Sequence, residues 1–275
     1  MRAGQTTRTV GVGAALAAAA AVVGGCGAGG VLRNPFNPQA WSYQSKEDEP
    51  ATLQVVRPVA IAVDSFSGDV TIVADERLAA ATVTVRREAT HGYKRKKEAR
   101  RSLAEIDYSV EVVPGEVGPV LQVRTWTSHA EPHFHRAHLR IDVPAVDGLT
   151  VRTRQGRVEA TDIEGAVHIE SSGGDVRIMT DRPMRRAVTV LTSRGDIDYR
   201  VRGESTGSFD CRAIRGEADY RVRYGRMILH SATGDALRAT LNDGENPVQL
   251  RTTDGDIRIA VVHNPKEVGT TIIDP

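Results

Sequence analysis

Four histidines crowd the stretch SHAEPHFHRAH, at His129, His133, His135 and His138. Residues two apart on a strand face the same side. His133 and His135 could therefore present two imidazoles together, and a third or fourth could complete a zinc or copper site with metal–nitrogen distances of about 2 Å. The stretch holds no Cys or Asp, and Pro132 interrupts it. A surface loop that is simply rich in histidine, leading into the strand HLRIDVP, is the first expectation, and a metal centre is the alternative.

The second candidate is basic. DYRVRGES is followed some twenty residues later by DYRVRYGR. If the two segments stack, Arg200 aligns with Arg221 and Arg202 with Arg223, making a patch suited to anionic polymers or another envelope partner. Asp198 and Asp219 stand beside these arginines, so an internally paired solvated face is the plainer reading. A third feature is a row of acids at Asp69, Asp175, Asp196, Glu217, Asp235 and Asp256. Carboxylates stacked about 5 Å apart repel and need amides, arginines or a cation. The nine-residue glycine-rich pattern of calcium rolls is absent, and Arg177, Arg194, Arg215 and Arg258 stand close enough to neutralise the row. Cys211 has no neighbouring His to activate it and reads as a packed thiol. No catalytic constellation and no cofactor motif emerges, so a non-enzymatic protein without a cofactor is expected.

What must position these groups is a repeat. Versions of SGDV-x-I recur, with the reference glycine at Gly68, Gly156, Gly174, Gly195, Gly216, Gly234 and Gly255; from Gly156 the intervals are 18, 21, 21, 18 and 21. Five residues before each glycine stand Val63, Val151, Ile169, Val190, Cys211, Leu229 and Leu250, and three before stand Ser65, Thr153, Ser171, Thr192, Ala213, Ser231 and Thr252. On either side of the glycine the apolar spacing is two, the period of a strand with one buried face. Across the glycine the parity flips, so the chain turns a corner where glycine accepts positive φ. Two strands and two corners in about twenty residues make one rung of a parallel β-solenoid, with rungs about 4.8 Å apart and like residues in columns. The columns predict Tyr199 beside Tyr220 and Cys211 between Val190 and Leu229. Arg238 breaks an inward column, which predicts a bulge or slip after Gly234.

The fold expected is all-β: a single-stranded parallel β-helix or β-solenoid over 51–275, regular over 146–262 and less regular over 51–145. YKRKKEARRSLAEI is the one convincing helix, near 93–106, with Ala99, Leu103 and Ile106 at helical spacing beside a basic face. It is expected to cap or flank the solenoid.

The first residues describe export. MRAGQTTR is basic and TVGVGAALAAAAAVV apolar, giving a signal over 1–25. VVGGC resembles the lipobox of bacterial lipoproteins, which makes Cys26 the lipidated residue and holds the chain on a membrane without spanning it. Residues 26–50 read as a tether. The charge of +1 from 36 basic and 35 acidic residues gives no indication of a nucleic-acid partner.

The SGDV-x-I repeats, the strand ending in VP before LTVRTRQG, and the lipoprotein start together resemble the "putative adhesin" family of bacterial β-strand-repeat proteins, over roughly 53–259. The resemblance implies a β-helix-like fold in the cell envelope and carries over no catalytic residue. The function expected is a lipid-anchored, adhesin-like or scaffold binding module in the bacterial envelope. Metal binding by the His129–His138 cluster is the alternative, and a β-helix enzyme acting on polysaccharide is a weaker one, because tight corners leave little chain for a cleft.

Overall fold

The computed structural model describes residues 43–55, 57–92 and 95–267, with side chains from 48 onward. The export signal, Cys26 and most of the tether lie outside the described residues.

Strands form where one face alternates apolar and polar. VAIAVDS, for example, buries Val59, Ile61, Val63 and Ser65 and turns the residues between them outward. In chain order the early strands are β1 (Tyr43–Leu53), β2 (Val59–Ser65), β3 (Val70–Ala74), β4 (Ala81–His91), β5 (Ile106–Pro114), β6 (Pro119–Thr127) and β7 (His135–Val143). The middle strands are β8 (Val146–Thr153), β9 (Val158–Thr161), β10 (Glu164–Ser171), β11 (Val176–Thr180), β12 (Val188–Arg194) and β13 (Ile197–Arg202). The last are β14 (Gly207–Arg215), β15 (Ala218–Val222), β16 (Met227–Ala232), β17 (Ala236–Leu241), β18 (Pro247–Asp254) and β19 (Ile257–Val262).

Two largely parallel sheets result. One runs β1-β4-β7-β3-β9-β11-β13-β19-β15 and the other β16-β17-β14-β18-β12-β10-β8-β2-β6-β5. Each rung therefore gives one strand to each sheet, and the inward faces of both share one apolar core. On one side that core is the column Val63, Val151, Ile169, Val190, Leu250 and Cys211, none more than 3% exposed. Opposite it stand Ile72, Ala160, Ile178, Tyr199 and Ile259. Burying each large side chain contributes about 1.5–3 kcal/mol.

The rungs do not stack in chain order, which corrects the single-stranded sequential solenoid. Their spatial order is β6/β7, β2/β3, β8/β9, β10/β11, β12/β13, β18/β19, β14/β15. The last rung is inserted between two earlier ones, so Leu250 separates Val190 from Cys211, and Ile259 separates Tyr199 from Tyr220. Tyr199 is buried with its ring edge-on to Phe209, whereas Tyr220, on the edge strand β15, is 40% exposed. The segment around Gly234 is no rung. It forms the antiparallel hairpin β16–β17, which covers the free edge of β14 and leaves Leu229 45% exposed. The slip expected after Gly234 lies before it instead, as a register shift between Leu229 and Ser231.

The corner glycines show the stacking order directly. Gly156, at φ +123°, lies so close to the rung before it that a Cβ there would stand 2.1 Å from the carbonyl oxygen of Gly68. The same contact runs from Gly174 to Gly156, Gly195 to Gly174, Gly255 to Gly195 and Gly216 to Gly255. Glycine serves at these corners because a backbone occupies the Cβ position and, at Gly156, Gly174, Gly195 and Gly255, because the φ is left-handed as well.

The less regular part begins earlier than expected: β1 starts at Tyr43, inside the segment read as tether, and pairs antiparallel with β4. The helix is shorter. α1 (Lys96–Ser102) is followed by a single 3-10 turn over Leu103–Glu105, and Ile106 already begins β5. α1 buries Ala99 and Ser102 and exposes Lys96, Lys97, Arg100 and Arg101.

Candidate functional site

At the corner that follows β2, β6, β8, β10, β12, β14 and β18, a groove of about 1310 Å³ runs across the rungs. Each rung supplies equivalent positions to it, so one sequence column becomes one stripe of the groove. The outward column one residue beyond the hydroxyl row brings Phe66, Arg154, Ser172, Ser193, Thr253 and Ile214 to the lining, with Trp126 at the far end. A second outward column adds Asp64, Arg152, Glu170, Leu191, Arg251 and Arg212. Between them lie the hydroxyls of Ser65, Thr125, Thr153, Ser171, Thr192 and Thr252, each at most 6% exposed. Thr153, Ser171 and Thr252 bond to corner backbone, as Thr252 Oγ1 does to the carbonyl of Gly195 at 2.9 Å; Thr125 Oγ1 donates to Ser65 Oγ at 3.2 Å, and Thr192 Oγ1 has no hydrogen-bond partner among the described residues.

Charge in the groove is unevenly balanced. Arg152 lies 3.4 Å from Glu170 and Arg251 3.1 Å from Asp210. Arg154, Arg194 and Arg212 make no ion pair among the described residues, and Arg212 stands directly opposite Arg251 on the neighbouring parallel strand. Like charges in register repel, so this end of the groove favours an anion. Glu170 is held below the usual carboxylate range by its hydrogen bond with His168, aided by Arg152. It is thus poorly suited to donate a proton.

The four predicted histidines separate. His138 leaves the cluster: its Nδ1 accepts from the Asp69 amide at 3.2 Å and its Nε2 lies 3.7 Å from Glu88. His133 is exposed, with its ring 4.1 Å from that of Phe134. His129 and His135 do meet, at 4.6 Å between ring centroids, and a third imidazole from a distant strand joins them: His91, at the end of β4. One ring nitrogen from each of His91, His129 and His135 falls within 4.8 Å of the others. His91 was missed because it lies 38 residues before His129. Its signal is parity: Ala81, Val83, Val85, Ala89 and His91 all lie on the inward face of one strand.

His91 is 1% and His135 0% exposed, and His91 Nδ1 and His135 Nε2 have no hydrogen-bond partner among the described residues. Burial lowers the pKa of His91. Burial first, then the neighbouring charges of His129 and His91, push His135 down to about 4.

The predicted arginine patch does not form. Ala260 on β19 separates Arg200 from Arg221, and β19 likewise intervenes between Arg202 and β15. Arg200 is 2% exposed and bidentate to Asp198 at 2.6 and 2.7 Å, Arg202 turns to Glu204 at 2.9 Å, and Arg223 is exposed. The acid row is a structural ladder. Asp69, Asp175, Asp196 and Asp256 each accept from the corner amide of the next rung, at 2.9–3.1 Å, and Arg258 bridges Asp196 and Asp256. Asp235 sits apart in the β16–β17 hairpin.

Residues 133–260 match the family model described as Toastrack DUF4097. Among solved structures, a "putative cell adhesion protein" from Clostridium sporogenes ATCC 15579 is similar at TM-score 0.52 and 9% identity, over 78% of this chain and 99% of that one. A "putative adhesin" from Bacteroides fragilis NCTC 9343 aligns over 79% of this chain and 97% of that one at 12% identity, with a TM-score of 0.31. No curated protein matches the chain. The family match thus covers the regular half and the strand before it, and the first structural likeness speaks to the fold alone.

Proposed function

We propose that the chain is a non-enzymatic binding module of the bacterial cell envelope, held there by a lipid on Cys26, whose corner groove takes an extended acidic polysaccharide. One observation carries the reading: Arg154, Arg194 and Arg212, which have no carboxylate partner among the described residues, share a groove with the outward hydroxyls of Ser172, Ser193 and Thr253 and an exposed Trp126. Guanidinium forks match carboxylate and sulfate oxygens. Serine and threonine hydroxyls exchange hydrogen bonds with sugar hydroxyls, and an indole face covers a pyranose ring while its N–H stays wet. Because rungs repeat about every 4.8 Å, the groove offers equivalent groups at regular steps, as a polymer requires. The anchor rests on the VVGGC motif alone.

The test is retention of the tag-free soluble chain on immobilised alginate against neutral dextran at about 0.15 M salt, where exposed charges beyond about 8 Å are screened. Reversal of Arg154, Arg194 and Arg212 to Glu is expected to weaken retention on alginate at least about tenfold while the far-ultraviolet dichroism stays unchanged. Equal retention of the triple variant, or equal binding of the wild type to dextran, refutes the reading.

A further inference from the structure

We infer that His91, His129 and His135 form a binding site for a borderline divalent transition metal, zinc foremost. Three separate parts of the chain converge to make it: the end of β4, the β6–β7 connection and the first residue of β7. Among the described residues, His91 Nδ1 and His135 Nε2 are buried and lack any partner. Leaving such atoms unsatisfied is costly, so the two call for a further ligand.

The hydrogen bonds on the far sides of the rings orient the lone pairs. Ser102 Oγ donates to the Ala99 carbonyl at 3.2 Å, so it accepts from His91 Nε2–H at 2.8 Å and leaves His91 Nδ1 unprotonated. Thr127 Oγ1 lies 2.7 Å from His135 Nδ1 and accepts the His129 amide at 3.2 Å; its other lone pair is open to His135 Nδ1–H, which directs Nε2 inward. His129 Nδ1 lies 3.0 Å from the Glu131 amide and 3.1 Å from the Glu131 carbonyl; the tautomer that donates to the carbonyl is the one that frees Nε2 for a ligand. A hydroxyl or backbone partner on the outer nitrogen is how ligating imidazoles are commonly held.

The donor set selects the ion. Three imidazoles without thiolate suit zinc, nickel or copper, whereas calcium and magnesium require oxygen. Tetrahedral zinc at about 2.0–2.1 Å from each nitrogen needs donors about 3.4 Å apart. The present separations, all within 4.8 Å, exceed that by at most about 1.4 Å. Phe134 stacks on His91 at 4.8 Å between centroids and covers the site from one side, while His129 also lines the end of the groove. The ion would tie α1, through Ser102, to β4 and β7 at the end of the solenoid, with its fourth position left to solvent.

The experiment uses the tag-free soluble chain, stripped with chelator and titrated with zinc alone by calorimetry and with cobalt(II) alone by visible absorption. One equivalent of zinc, a higher melting temperature and the intense visible bands of tetrahedral cobalt are expected, with no response to calcium or magnesium. His129→Gln and His91→Gln should each weaken zinc affinity by at least about 100-fold and Ser102→Ala by about tenfold, while His133→Ala leaves it unchanged. His129 sits on a part-exposed connection, so its variant decides the matter if His91→Gln does not fold. Absence of both zinc heat and cobalt bands in the wild type overturns the proposal. So does affinity that survives His129→Gln, or that is lost with His133→Ala.

Discussion

Replacing Gly195 by alanine tests the stacked corners. Gly195 has φ +140°, and a Cβ there would lie 2.3 Å from the carbonyl oxygen of Gly174, against the 3.0 Å below which such contacts are essentially never seen. The left-handed backbone costs an L-residue about 1–2 kcal/mol, and prising adjacent rungs apart to admit a methyl adds about 1–3 kcal/mol, as for other overpacked sites. The sum, about 2–5 kcal/mol, corresponds to a fall in melting temperature of roughly 4–20 °C for a domain of this size. Gly234, which the repeat equates with Gly195, has nothing within 4 Å of its would-be Cβ, so Gly234→Ala should change stability by no more than about 0.5 kcal/mol. Thermal and urea unfolding of both variants reads the contrast. If Gly195→Ala melts within about 2 °C of the wild type, or the two variants fall equally, rungs are not stacked glycine on glycine and the reasoning fails.

Three further outcomes concern the apolar column. Leu250→Ala, fully buried between Val190 and Cys211, should cost about 2–5 kcal/mol, whereas Leu229→Ala, on the exposed hairpin, should cost less than about 0.5 kcal/mol in the same urea titration. Burial pushes the Cys211 thiol up to about 12, so in a Cys26→Ser chain it should resist a thiol reagent at neutral pH until denaturant is added. The thiol's folded-state pKa is raised, so its contribution to stability is complete below the ordinary thiol range. It is lost as pH rises from there toward 12, which alkaline unfolding midpoints against Cys211→Ala would show.

The alternation of VAIAVDS and its relatives, the parity change at glycine and the hydroxyl row were all legible from residue order, because each is a local rule about which side of a strand faces the core. Rung order was not. Val190, Leu250 and Cys211 occupy equivalent positions, so any permutation of their rungs satisfies the same pattern, and chain order is merely the simplest guess. What breaks the symmetry is that Leu229 and Ala232 lie on a hairpin whose partner, β17, runs antiparallel to β14. Pairing direction leaves no mark on the apolar period. The arginine patch failed for the same reason, since its alignment assumed neighbouring rungs. The histidine site was half visible: clustering in sequence found His129 and His135, but adjacency could not supply His91, which only the antiparallel pairing of β4 with β7 brings near.

The placement of β18/β19 between β12/β13 and β14/β15 has a consequence for biogenesis. A growing chain can lay down the first rungs as they appear, but β14 and β12 have no shared seam until residues 247–262 arrive to fill it. That rung is thus a keystone. A product truncated before it would retain two blocks with open, sticky margins, fit for proteolysis.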